Sequence, residues 1–274
     1  MIRENVPVDR LTEQQALELY RTSGSHDLFA RGKAAADALH PTPVRTYVVE
    51  RNINYTNVCV TYCTFCAFQR KPGESDAYVL SDEQIEQKIS ELVAQGGTQI
   101  LLQGGLHPDL PFSFYENMLG NIKAKFPGMH IHGFSPEEIF FFHELYEMPL
   151  RDMLVKLREA GLDSIPGAGA EILVDRVRDV IAPKKCNTEQ WLEVMRQAHA
   201  IGMCTTATMM FGHVETLSER VEHLQRIREL QDASLAVREK DPDHGFFTAF
   251  ICWPFQPGTT PLSRLPQYDP ASGR

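Results

Sequence analysis

Apolar residues change period along the chain. Behind Thr12-Glu13-Gln14-Gln15, a Thr-x-x-Gln capping signature, Ala16, Leu17, Leu19 and Tyr20 recur at helical spacing, so residues 10–40 are predicted to be helical and to pack on the outside. After Pro41 and Pro43 the pattern becomes β-like, in Thr46-Tyr47-Val48-Val49 and Ile53-Asn54-Tyr55-Thr56. Strand-like runs at 98–102, 130–134, 162–165, 204–211 and 246–253 then alternate with helical-period segments at 82–94, 112–126, 150–160, 188–201 and 217–231.

Strict alternation predicts an α/β fold, a parallel sheet of right-handed βαβ units in a closed or partial barrel. With the strand at Ile53 there are about six units, against eight for a full barrel. Past Trp253 the prolines Pro254, Pro257, Pro261, Pro266 and Pro270 leave no room for a covering helix, so the last two units are expected to be missing. The expected organisation is a helical preamble over 1–42, a barrel core over 43–262 and a proline-rich tail over 263–274. No internal repeat of fixed period interrupts it.

Composition narrows the classes. The 274 residues suffice for one α/β domain, and no apolar run approaches the ~20 residues of a membrane-spanning helix. Met1-Ile2-Arg3-Glu4-Asn5 lacks the apolar h-region of a secretory signal, so a cytoplasmic address is expected. A net charge of −9 argues against an extended nucleic-acid face and for a small-molecule substrate.

Three of the six cysteines fall within eight residues, in Asn57-Val58-Cys59-Val60-Thr61-Tyr62-Cys63-Thr64-Phe65-Cys66-Ala67-Phe68. Cys59, Cys63 and Cys66, spaced CxxxCxxC after a predicted strand, supply three thiolates to a 4Fe-4S cubane and leave its fourth iron open to a ligand. A structural zinc site wants four ligands, usually from two CxxC knuckles, and no second knuckle exists here. Cys204 and Cys252, in apolar strand contexts, read as buried structural thiols, and Cys186 as a surface-loop thiol.

Further candidates close other strands. Gly104 and Gly105, in Gln103-Gly104-Gly105-Leu106-His107-Pro108, permit close backbone approach to a ligand at the end of a barrel strand where active sites lie. His107 beside them is a substrate contact or a turn residue. The small-residue run Pro166 to Ala170 leaves room for a cofactor and ends in Glu171, an acceptor for ribose hydroxyls or an ammonium, or else a carboxylate at a helix N-terminus. His130 and His132 share one strand face, and Ser135 is an N-cap by type and a candidate contact. His213 and Glu215 follow the fifth strand, where Met209 and Met210 read as core.

CxxxCxxC after the first strand of a βα barrel resembles the signature of the radical S-adenosylmethionine (SAM) superfamily. The resemblance implies a TIM-type barrel, a 4Fe-4S cluster and SAM, with Phe68 under the adenine, Gly104 and Gly105 at the SAM amino group, and Glu171 among the cofactor contacts; Ser135, read from its position, is taken as a cofactor-binding candidate with them. Longer strings, RNINYTNVC from Arg51, QGGLHPDL from Gln103, LDSIPGAGAEIL from Leu162, ATMMFGHVE from Ala207 and WPFQP from Trp253, resemble the cyclic dehypoxanthinyl futalosine synthase branch of menaquinone synthesis. That branch implies removal of the C4′ hydrogen of dehypoxanthine futalosine by a 5′-deoxyadenosyl radical, ring closure on the substrate's own aromatic ring, and an external donor of flavodoxin or ferredoxin type. It also implies a general base, for which His107, His132, His213 and Glu215 are the candidates. Ala168 stands where the branch has a further glycine, and the branch's barrels continue beyond this length. Aminofutalosine synthase and a shortened, catalytically weak metal-binding barrel are the alternatives.

Overall fold

The computed structural model describes residues 10–40, 42, 44, 46–258 and 260–269. Met1 to Asn5, Pro41, Pro43 and Pro270, on which some expectations fell, lie outside the described residues. Parallel strands β1 (Glu50–Asn54), β2 (Gln99–Gln103) and β3 (His130–Gly133) pair in sequence order, and β4 (Thr205–Phe211) pairs in parallel with β5 (Phe247–Pro254). Single bridges, His132 to Ser164 and Ile165 to Thr205, link the two sheets. The result is a partial TIM-type barrel.

The helices are α1 (Glu13–Thr22), α2 (Ser25–Leu39), α3 (Asp82–Val93), α4 (Phe112–Lys125), α5 (Pro136–Leu145), α6 (Leu150–Ala160), α7 (Asp175–Ile181), α8 (Thr188–Ala200) and α9 (Leu217–Arg238). The preamble is fastened from outside. Arg10 pairs with Asp232 on α9, and Arg228 donates to the Leu11 carbonyl at 2.8 Å. No helix among the described residues is long and apolar enough to cross a membrane.

Strand alternation sorts the side chains into two faces. Ile53, Ile100, Leu102 and Ile131 are buried under the helices with Ile89, Leu119 and Phe142. In register on the opposite, concave face stand Asn52, Asn54, Leu101, Gln103, His130 and His132. The barrel interior is therefore polar near its first three strands.

Four expectations change. Residues 162–165 form bridges rather than a full strand, because Pro166 has no N–H to continue the ladder. Residues 46–49 stay outside the sheet, although Thr98 N–H donates to the Val49 carbonyl. Helix α9 passes 231 and runs to Arg238, since Ala233, Leu235 and Ala236 sustain it and no proline intervenes before Pro242. A 3-10 turn, Pro261–Arg264, crosses the core–tail boundary expected after 262, and its buried Leu262 donates its N–H to the Thr64 carbonyl in the cysteine loop at 2.9 Å.

Candidate active site

The cysteine loop is clamped on two sides. Cys59 N–H donates to the Arg70 carbonyl (3.0 Å) and Arg70 N–H to the Asn57 carbonyl (2.7 Å), while Val60 N–H donates to the Leu106 carbonyl (3.2 Å) and Gly105 N–H to the Thr56 carbonyl (2.9 Å). Thr61 lies between two thiols, 3.0 Å from Cys59 Sγ and 3.5 Å from Cys63 Sγ. Cys59 and Cys63 are buried and Cys66 is half-buried. Burial pushes the Cys63 thiol up to about 11, against the pull of Lys185.

One cavity of about 300 Å³ gathers all three cysteines and all five predicted cofactor residues, Phe68, Gly104, Gly105, Ser135 and Glu171. Asn54, Gln103, Glu137, Glu138, Ala168 and Lys185 complete much of its wall. Among the described residues no three His, Cys, Asp or Glu side chains close around a point for one metal ion. Three soft thiolates spread along a loop suit a cubane, which takes each ligand on a different iron.

Behind the glycines lies a buried carboxylate. Glu138 on α5 accepts from Tyr55 Oη (2.6 Å), Gly104 N–H (3.0 Å), and Ser135 N–H (2.7 Å) and Oγ (2.8 Å). Burial raises its pKa against these donors. Ser135 caps α5, its Oγ accepting from Glu138 N–H, so the cap and the glycine strap share one residue.

A second network holds the opposite wall. Glu171 takes a left-handed backbone at φ 40°, a conformation that a non-glycine residue keeps only where its surroundings impose it. Lys185 Nζ lies 3.2 Å from its carboxylate. Burial works against this ammonium, but Glu171, Cys63 and Glu137 outweigh it and the Lys185 pKa is raised. Arg178, buried, donates to the carbonyls of Gly169 (3.0 Å), Ala170 (2.8 Å) and Cys186 (3.0 Å). Cys186 N–H and thiol both donate to Glu137, at 3.2 and 3.1 Å.

The cysteines outside the triplet depart from expectation. Cys186 is buried, because the loop before α8 folds inward onto Glu137, and Cys252 is exposed, because β5 has no covering layer beyond Phe247. Cys204 is only half-buried.

The four base candidates stand apart from the cavity lining. His107 serves its turn, its Nδ1 accepting from Asp109 N–H at 3.1 Å. His213 is enclosed, with Nε2 3.0 Å from the Met210 carbonyl and Nδ1 accepting from Val214 N–H at 2.8 Å. Glu215 accepts from Gly212 N–H (2.6 Å), His213 N–H (2.9 Å) and Arg220 (2.7 Å). His132 differs from these three. It lies on the concave face that Asn54 and Gln103 share, with Nδ1 2.7 Å from Ser164 Oγ, and burial lowers its pKa to about 4. Glu137, Glu138 and Lys185 escaped the sequence reading, and the only signal for them was the polarity of Glu137-Glu138 and Lys184-Lys185 beside apolar runs.

Comparison with known proteins adds four findings. The profile of the Radical SAM superfamily matches residues 53–227. Cyclic dehypoxanthine futalosine synthase of Halalkalibacterium halodurans is 42% identical over 262 residues, 96% of this chain and 68% of that protein. A 5-amino-6-(D-ribitylamino)uracil–L-tyrosine 4-hydroxyphenyl transferase of Methanosarcina mazei is 43% identical over 252 residues, 92% of this chain and 61% of that protein. The chain thus spans between three fifths and about two thirds of these relatives' lengths. Among solved structures, methylornithine synthase superposes with a TM-score of 0.70 at 17% identity, covering 93% of this chain and 68% of that one, a likeness of fold.

Proposed function

The chain belongs to the radical SAM superfamily, and on that premise we propose that it closes dehypoxanthine futalosine to its cyclic product, with a 4Fe-4S cluster on Cys59, Cys63 and Cys66. The observation that supports this most is the 42% identity to a cyclic dehypoxanthine futalosine synthase across 96% of the chain. When bound, the cluster and SAM supply hydrogen-atom abstraction from an unactivated carbon.

The residues of the chain bind, orient and exclude water. Gly104 and Gly105 bring backbone close to the cofactor, and Glu138 fixes that strap through Gly104 N–H. Phe68 offers an aromatic face to the adenine. Glu171 and Lys185 present a carboxylate and an ammonium to the amino-acid and ribose ends of SAM, and Ala168 adds one methyl to that wall. The concave face holds the substrate, with Asn54 and Gln103 at the cavity rim. The ring-closed radical must lose one electron, for which the cluster held by Cys59, Cys63 and Cys66 would be the acceptor, and one proton, which His132, on the concave face with Nδ1 held by Ser164, takes up. Positioning the reacting C–H beside the abstracting group is the main catalytic demand on the protein.

A second reading has an observation of its own, the 43% identity to the tyrosine 4-hydroxyphenyl transferase. Anaerobic incubation with SAM and a reductant, offering dehypoxanthine futalosine in one tube and tyrosine with 5-amino-6-(D-ribitylamino)uracil in another, separates the two. Free 5′-deoxyadenosine with a cyclised product in the first tube is expected. Turnover confined to the second, or adenosine joined covalently to a substrate, overturns the cyclase reading.

A further inference from the structure

We infer that His132, Ser164 and His130 form a proton relay, running from the concave face of the barrel to solvent at the N-terminal end of β3. The inference rests on the cyclase reading, in which His132 takes up the proton lost on ring closure, and adds where that proton goes. Asn54 and Gln103, which line the cavity, are the last residues of β1 and β2. His132 pairs with Leu101, two residues below Gln103 on β2, and His130 with Gln99, two residues lower again. His130 is the first residue of β3 and is exposed, whereas His132 is half-buried.

Side chains two apart on a strand stand about 7 Å from each other, too far for the two rings to exchange a proton directly. Ser164 spans the gap. Its Oγ lies 2.7 Å from His132 Nδ1 and 2.7 Å from His130 Nε2. The backbone fixes it there, because Gly133 N–H donates to the Ser164 carbonyl at 3.0 Å and Ser164 N–H to the Ile131 carbonyl at 3.3 Å. Ser164 is itself buried, which limits competition from water for its hydroxyl. A hydroxyl carries one proton, so with two short bonds it donates along one and accepts along the other. With His130 Nε2 as the acceptor, His132 donates Nδ1–H to Ser164, and its Nε2 keeps the lone pair that a base requires. When Nε2 takes the substrate's proton, Nδ1–H passes to Ser164 Oγ as the hydroxyl proton passes to His130 Nε2, and His130 releases its Nδ1–H to solvent. One proton enters, one leaves, and nothing in the chain is oxidised or reduced. Burial, and after it the neighbouring His130, lower the His132 pKa to about 4, which drives an arriving proton onward. On product release the Nε2 proton exchanges with entering water and the relay resets.

Two measurements test the relay. Nitrogen-15 NMR of the full chain, labelled at histidine, reads the ring tautomers. The parent should show His132 protonated at Nδ1, and so should Ser164→Thr, which keeps the hydroxyl, and His130→Gln, which keeps an acceptor. Ser164→Ala and His130→Leu should both move that proton to Nε2. Rapid-quench single turnovers of the cluster-loaded chain, with SAM, a reductant and dehypoxanthine futalosine, then separate 5′-deoxyadenosine from the cyclised product. Hydrogen abstraction precedes proton loss, so the step that slows in His130→Gln and Ser164→Ala is formation of the cyclised product, by at least about tenfold, rather than that of 5′-deoxyadenosine. Ser164→Thr should restore most of the rate, and added imidazole should recover product in His130→Ala, since that position is exposed. A parent with His132 protonated at Nε2 overturns the relay, and so do product rates unmoved in His130→Gln and Ser164→Ala. A parent that yields no 5′-deoxyadenosine with this substrate brings down the cyclase reading instead, and the relay with it.

Discussion

A Cβ at Gly105 would stand 2.2 Å from the Val58 carbonyl oxygen and 2.9 Å from Cys59 Cβ, and neither the backbone nor this proposed cluster ligand can yield cheaply. Gly105→Ala is therefore expected to cost about 1–3 kcal/mol and to lower the iron retained per chain, as read by denaturant titration and iron assay. Gly120, exposed in α4 with nothing within 4 Å, is the counterpart. Gly120→Ala should stabilise by about 0.5–1 kcal/mol without touching iron content. Tyr55→Phe removes one of the donors to buried Glu138, a loss of about 1.5–3 kcal/mol, and a midpoint equal to that of the parent chain would refute the network. At this scale short spacing picked out the cysteine triplet and the Gly-Gly pair, which the fold brings to one cavity. It did not show partners assembled over long separations, such as Cys186 with Glu137 or Lys185 with Glu171, because no local pattern encodes which loop folds inward.

Helix starts carry much of the local specification. Thr12, Ser81, Ser135, Asn187 and Thr216 each close a capping box. Asn187→Ala should lower stability by about 1 kcal/mol and leave cluster loading unaltered. Ser135→Ala should lose more, since the same hydroxyl also donates to Glu138, and an equal loss at the two caps would argue against that second role. Period and caps made the long helices and five of the strands readable. The fourth strand was misjudged because Leu162 to Ile165 has strand composition while Pro166 withholds the next donor. Helix α7, seven residues long, is too short for a period to register. The burial of Cys252 in β5 was misjudged for a different reason. Phe250, Ile251 and Trp253 are as apolar as a core strand requires, yet all are exposed, and composition does not say which neighbour covers a strand.

For the molecule as a whole, the class of fold was readable from alternation, but whether the sheet closes depends on contacts between its first and last strands. Its pH response is likewise a property of buried sites rather than of composition. His199, between Ser234 and Thr205 Oγ at 2.8 Å each, is pushed down to about 3 by burial, and His223, whose Nδ1 accepts from Leu173 N–H, also to about 3. Both are held neutral in the fold while the unfolded chain protonates near 6.5. Their contribution is thus present above pH 6.5 and is lost as the pH falls from there toward 3. Glu137 and Glu138 act in the opposite sense. Burial raises their pKa, so the fold gains from their protonation over part of the same range, and the total slope mixes the two. A difference between variants isolates the histidine. His199→Gln should be less stable than the parent at pH 7, and the gap should narrow steadily between pH 6.5 and 3 as the parent alone loses the linked contribution. Urea titrations of both chains at each pH decide the matter: curves that stay parallel would mean that His199 titrates alike folded and unfolded, and that burial does not hold it neutral.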